Sequence, residues 1–175
     1  MIINEQNKVK VLRKILLLSD THSHIDEVIL KYVDWADEVW HAGDIGDLQV
    51  TDTIKKRKPL RAVYGNIDDD KARMEFPLNN RFWCEGVEVW ITHIGGYPGK
   101  YNLAVREALK KSPPKLFICG HSHILKVQFD KTLQMLHMNP GACGIHGFHQ
   151  VRTMLRFEIE GDKIQSLEVI EIGKK

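Results

Sequence analysis

KILLLSDTHSHIDEVILKYVDWADEVWHAGD, residues 14–44, decides the fold. It opens on a short, continuously apolar run, Ile15 to Leu18, that stops in polar residues. A short run without alternation suits a central strand buried on both faces. From Ile25 to Ala36 the apolar residues Ile25, Val28, Ile29, Tyr32, Val33 and Ala36 fall at helical spacing. DEVWHAGD then supplies a second short strand. Strand, helix, strand in this order predicts an α/β unit with parallel strands.

The pattern continues outward. Thr51 to Arg57 reads as a short helix before Pro59, and LRAVYGN as a third strand ending in a Gly-Asn turn. RFWCEGVEVWITH predicts a hairpin that turns at Glu85-Gly86. Asn102 to Lys111 is helical and is stopped by Pro113-Pro114, and KLFICG is another buried strand. Two further antiparallel pairs are expected around Asp130-Lys131 and Gly161-Asp162. The expected architecture is α/β: two packed sheets with helices on the outside. No repeat or linker divides residues 1–175, so one domain is expected, with its core at about 13–172.

Composition sets the outer limits. With 43% hydrophobic residues, 27% charged residues and a formal charge of +2, the chain reads as an ordinary soluble protein. It carries no strong footprint for nucleic acid or membrane. Cys84, Cys119 and Cys143 match neither a disulfide framework nor a zinc knuckle. Free thiols, the short apolar run Ile15 to Leu18 and the lack of a bilayer-length stretch predict a cytoplasmic protein.

The polar residues gather where the apolar runs end. Asp20 and His22 follow the first strand, Asp44 the second, Asn66 the third, His93 the hairpin, and His121 and His123 follow KLFICG. In open α/β sheets, ligands bind beyond the carboxyl ends of strands. Residues i and i+2 of an extended backbone share a side, so Asp20 with His22, and His121 with His123, are each expected to serve one place. Two carboxylates, four imidazoles and one amide exceed a single tetrahedral zinc. The set suits two divalent ions sharing a carboxylate. Mixed nitrogen and oxygen donors point to Mn, Fe, Zn, Ni or Co rather than to Ca or a thiolate-bound metal, and Mn is the first expectation among them.

DTH at 20–22, GD at 43–44, GNID at 65–68, TH at 92–93 and GHSH at 120–123 together resemble the calcineurin-like metallophosphoesterase superfamily. The small size and NPGACG at 139–144 are similar to its compact YfcE-like phosphodiesterase branch, which also holds a eukaryotic retromer subunit. The resemblance implies a four-layer α/β/β/α fold and hydrolysis of a phosphate ester, in which hydroxide activated by two metals attacks phosphorus. It implies Asp20, His22 and His123 on one metal, Asn66, His93 and His121 on the other, and Asp44 bridging. Asp44, Asn66 and His93 are thereby catalytic candidates as well as ligands.

Many superfamily members carry a histidine where this chain has Ile67, and the compact branch that the chain resembles lacks that histidine too. The general acid is then unassigned, with His24, His41 and His146 as candidates. His24 shares the parity of His22 and is expected to line the site. His41 reads better as packing behind the ligands, and His137 and His149 as ordinary core histidines. Asp68 and Asp47 either orient ligands or serve turns. Cys119 is expected to pack, KKRK at 55–58 to end a solvated helix, and the four tryptophans to serve core or interface. The expected partner is a small phosphate-ester substrate, with self-association as a homo-oligomer an option. The competing reading is a protein-binding scaffold with a residual metal site, like the retromer subunit. An amidohydrolase is a weaker third.

Overall fold

The computed structural model describes residues 11–174. The remainder of the 1–175 span, including most of the N-terminal segment read for a signal, lies outside the described residues. Three parallel strands come first along the chain: β1 (Leu12–Leu18), β2 (Glu38–His41) and β3 (Leu60–Ala62). Helix α1 (Glu27–Trp35) links the first two and α2 (Gln49–Lys55) the next. Helix α1 begins two residues later than its apolar spacing suggests. Asp26 is its N-cap, accepting the Ile29 N–H at 2.9 Å, so the helix cannot start before it.

The short helix α3 (Asp70–Glu75), capped by Asp69, was not legible as a periodic segment. The hairpin β4 (Asn79–Cys84) to β5 (Val87–Thr92) turns where expected. It is followed by a tiny ribbon, β6 (Gly96–Tyr97) with β7 (Lys100–Tyr101), within a stretch that shows no alternation. Then come α4 (Leu103–Lys111), β8 (Leu116–Ile118), β9 (Leu125–Asp130), β10 (Met135–Pro140), β11 (Val151–Glu160) and β12 (Lys163–Lys174).

These strands make two five-stranded mixed sheets, ordered β12-β11-β1-β2-β3 and β4-β5-β8-β10-β9. Alternation within β1 explains its unbroken apolar run. Ile15 and Leu17 face the second sheet, meeting Val89, Ile91, Ile118 and Met138 in the central core. Leu16 and Leu18 face outward onto Ile29 and Val33 of α1 and Ile54 of α2. On the far side Trp90 and Phe117 of the second sheet pack against Val105 and Leu109 of α4. The layers are therefore helix, sheet, sheet, helix, as expected. All three cysteines are free and buried. Among the described residues no helix is long and apolar enough to cross a membrane.

Candidate metal centre

The carboxyl ends of β1, β2, β5 and β8 meet at one edge of the sandwich, because β1–β2 and β5–β8 are parallel pairs. Each chain segment leaves its strand by a sharp turn. Asp20, His22, Asp44, His121 and His123 all have positive φ, between 45° and 68°. Non-glycine residues there are strained, and such residues cluster at functional sites. Backbone hydrogen bonds hold them: Asp20 N–H donates to Gly43 O at 2.9 Å, His22 N–H to Asp44 O at 3.0 Å, and Gly120 N–H to His93 O at 3.0 Å.

The side chains converge in two groups. Asp20, His22, Asp44 and His123 place ligand atoms within 4.8 Å of one another, and so do Asp44, His93 and His121. Asp44 belongs to both groups. Its Oδ1 lies 3.1 Å from His93 Nε2 and its Oδ2 lies 3.6 Å from His22 Nε2. Asn66 lines the same cleft, of about 440 Å³, together with Ile67, His146 and Phe148. The expected parity of extended backbone does not produce this arrangement. His121 and His123 diverge into different groups, because both sit in left-handed turns rather than in a strand.

The tautomers can be worked out from partners that only accept. His93 Nδ1 faces the Ala42 carbonyl at 2.7 Å and must donate, so the neutral ring carries its lone pair on Nε2, toward Asp44. His149 Nε2 donates to the Gly144 carbonyl at 2.9 Å, so its Nδ1 accepts from His123 Nδ1 at 3.2 Å. The lone pair of His123 is then on Nε2, which lies 3.1 Å from Asp20 Oδ1 and 3.4 Å from His22 Nε2. Lone pairs therefore face carboxylate oxygens at close range. Both Asp20 Oδ1 and His93 Nε2 are buried without a hydrogen-bond partner. Acceptors crowded in this way repel unless a cation lies between them, so the residues fit divalent ions.

The two carboxylates draw positive charge to this place. Burial pushes the His93 imidazole down, but the Asp44 and Asp20 carboxylates outweigh it and hold the group above its ordinary value. Burial pushes the Asp44 carboxyl up, yet His93, the Ile67 N–H and His22 bring it below the usual carboxylate range. For His22 burial dominates over the same two carboxylates, and the imidazole is lowered.

The remaining candidates divide clearly. His24 is turned away, bonded at 3.0 Å to Asp26, which also pairs with Arg152 at 2.9 Å. His41 is fully buried behind these side chains. It accepts the Gly43 N–H on Nδ1 at 3.1 Å and bonds Thr21 Oγ1 through Nε2 at 2.9 Å, and burial lowers it to about 4. His146 lines the cleft, its ring 4.9 Å from that of His22. Asp68 is not merely a turn residue. It accepts the N–H groups of Ile45, Gly46 and Gly65 at 3.1, 2.7 and 2.7 Å, tying together the loops that carry Asp44 and Asn66. Asp47 serves its turn, accepting the Gln49 N–H at 2.7 Å.

Sequence reasoning passed over Asn139 and read His149 as an ordinary core histidine, whereas it lines the cleft and bonds His123 at 3.2 Å. Asn139 donates to the Gly120 carbonyl at 2.9 Å and accepts the Gly141 N–H at 3.0 Å, which fixes the GHSH turn. The clue to His149 was its place in the glycine-rich GACGIHGFH. Gly147, at φ +117°, has no room for a Cβ, which would stand 2.3 Å from His123 Nδ1. His149→Ala is expected to lower metal affinity at the Asp20/His22/His123 position about 10–100-fold, the usual effect of removing a ligand's orienting partner. Competition with a chelating dye measures it, and an unchanged affinity would take His149 out of the site.

A two-sheet α/β/β/α sandwich with carboxylates and imidazoles gathered at its strand ends defines a metal-binding hydrolase fold of the metallophosphoesterase class. Residues 14–162 match the family described as the calcineurin-like phosphoesterase superfamily domain, and the chain belongs to that superfamily. It is 22% identical over 156 residues to a probable metallophosphoesterase of Methanocaldococcus jannaschii, covering 86% of this chain and 77% of the relative. Its fold is similar to that of Entamoeba histolytica Vps29 complexed with Zn²⁺ (TM-score 0.70, 15% identity, 91% of this chain and 98% of the other). It is also similar to a solved archaeal phosphodiesterase (TM-score 0.66, 20% identity, 90% and 99%).

Proposed function

We propose that this chain hydrolyses phosphodiesters of small molecules at a pair of divalent ions. The supporting observation is Asp44, whose two carboxylate oxygens approach different histidines and whose side chain is common to both ligand groups. Asp20, His22 and His123 would hold one ion, and Asn66, His93 and His121 the other. Mn is the first choice, with Fe, Zn, Ni or Co as alternatives, on the mixed donor set. Ions bound there supply positive charge that activates water and neutralises phosphoryl oxygens.

The chain's own contribution is positioning. His93 is locked by its bond to Ala42, and His123 by its bond to His149. The Ile67 N–H donates to Asp44 Oδ1 at 3.1 Å, which fixes the carboxylate, while the Ile67 side chain offers no proton. Of the three histidines weighed as general acid, His24 and His41 are engaged elsewhere and His146 alone lines the cleft.

The decisive experiment is metal analysis after Mn²⁺ loading, paired with hydrolysis of bis(4-nitrophenyl) phosphate. About two ions per chain with turnover is expected for a two-metal site. Ions without turnover would shift the reading to a binding scaffold. Asn66→Ala is expected to bring occupancy from about two ions toward about one, because it serves only one of the positions. Equal loss of both would refute the division of ligands.

A further inference from the structure

A second cavity, of about 530 Å³, opens on the outer face of the second sheet beside the metal cleft. The β6–β7 ribbon and the GHSH turn border it, and it shares His121, Ser122 and Ile124 with the cleft. A group attached to a phosphorus held at the metals can therefore reach it. His137 lines this cavity, from the face of β10 that also carries Met135 toward Phe117. Its ring is fully buried, and neither ring nitrogen has a hydrogen-bond partner. Its neighbour Asn139 is fully engaged with Gly120, Ser122 and Gly141.

Burial, reinforced by the Lys126 ammonium, pushes His137 down to about 4, so the ring stands neutral with one N–H donor and one lone pair. Two ammonium groups, Lys100 and Lys126, line the same cavity, and no carboxylate side chain does. Among the described residues neither lysine has a carboxylate in ion-pair range. Lys126 instead lies over the Tyr97 ring at 4.9 Å. Buried side-chain polar atoms are for the most part hydrogen-bonded, so a buried histidine with neither nitrogen paired calls for an explanation.

We propose that this cavity is a substrate subsite that takes an ester substituent carrying a second anionic group, a carboxylate or a further phosphate. Lys100 and Lys126 supply the countercharge, and the His137 N–H donates to an oxygen of the substituent. The inference rests on the phosphodiesterase reading and narrows its substrate to esters that are anionic beyond the reacting phosphate.

The test uses three methyl aryl phosphodiesters that differ at ring position 4: a carboxamide, a carboxylate and a phosphonomethyl group. The Mn²⁺-loaded protein is compared with a Lys100→Ala/Lys126→Ala double variant and with His137→Phe, which keeps the packing and removes the donor. The readout is the ratio of kcat/KM for each anionic ester to that for the carboxamide. Taking that ratio in each variant relative to the same ratio in the parent protein cancels the intrinsic reactivity of the esters. The double variant is expected to lower it about tenfold or more, the scale of one charge-assisted contact, and His137→Phe to lower it less. Whichever anionic ester has the ratio that falls further in the double variant separates a carboxylate from a phosphate ligand. Ratios unchanged in the double variant would overturn the subsite while leaving the phosphodiesterase intact. If none of the three esters is hydrolysed, the phosphodiesterase reading fails, and calorimetric titration with the same compounds decides the subsite. Tighter binding of the anionic compounds that vanishes in the double variant upholds it, and equal binding of all three overturns it.

Discussion

Asp44→Asn is expected to lower turnover about a thousandfold, roughly 4 kcal/mol of lost transition-state stabilisation, and to weaken occupancy of both metal positions together. The carboxylate faces His93 Nε2 through Oδ1 at 3.1 Å and His22 Nε2 through Oδ2 at 3.6 Å. An amide keeps the size and one acceptor oxygen, so the bond from the Ile67 N–H can survive. Its NH₂ group, however, turns a donor toward one position and removes the negative charge from both. The fold should persist, because Asp68 ties the neighbouring loops independently of Asp44. Metal analysis and aryl diester hydrolysis of the variant, with circular dichroism as a control for folding, measure the effect. Full activity, or loss of one ion alone, would contradict the bridging role.

Gly65→Ala is the second large effect, and it acts through space rather than charge. A Cβ at this position would lie 2.1 Å from Asp44 Oδ1 and 2.3 Å from the Asp44 backbone nitrogen. The side chain could swing away, but the backbone nitrogen cannot move without disturbing the strand end that carries it. Gly65 N–H also donates to Asp68 at 2.7 Å, so the loop has little freedom to retreat. Overpacking of this kind costs about 1–3 kcal/mol. For a chain of this size that is a fall in Tm of about 5 °C, with activity reduced as far as in Asp44→Asn because the same carboxylate is displaced. Thermal unfolding and the diester assay measure both. A variant with unchanged Tm and unchanged turnover would show that the close approach is not needed.

The candidate donors were legible in the sequence for a simple reason. Each follows a strand, and strands show as short apolar runs whose ends can be read without knowing how they pack. The family resemblance carried by DTH, GD, GNID, TH and GHSH implied separate groups for His121 and His123, which the i, i+2 argument put together and the structure keeps apart. That argument assumed extended backbone, whereas the residues sit at φ 68° and 57°. The same assumption misplaced His24, which the cap of α1 draws to Asp26. Helix α3 and the β6–β7 ribbon escaped notice because six residues and two two-residue strands are too short to show a period.

The sequence by itself determined the order of the longer elements, the two-sheet architecture and the kinds of donor available to a metal. These depend on local periodicity and on chain order, which a linear text preserves. Only the tertiary structure decided which donors face one another and what lies behind them. His149 meets His123 across 26 residues of chain, and Asp68 joins two loops from different strands. His137 was an unremarkable residue within MLHMN until the fold placed it, unpartnered, beside two lysines from other strands. Contacts of this kind arise from the close packing of segments distant in sequence, and no local pattern encodes them.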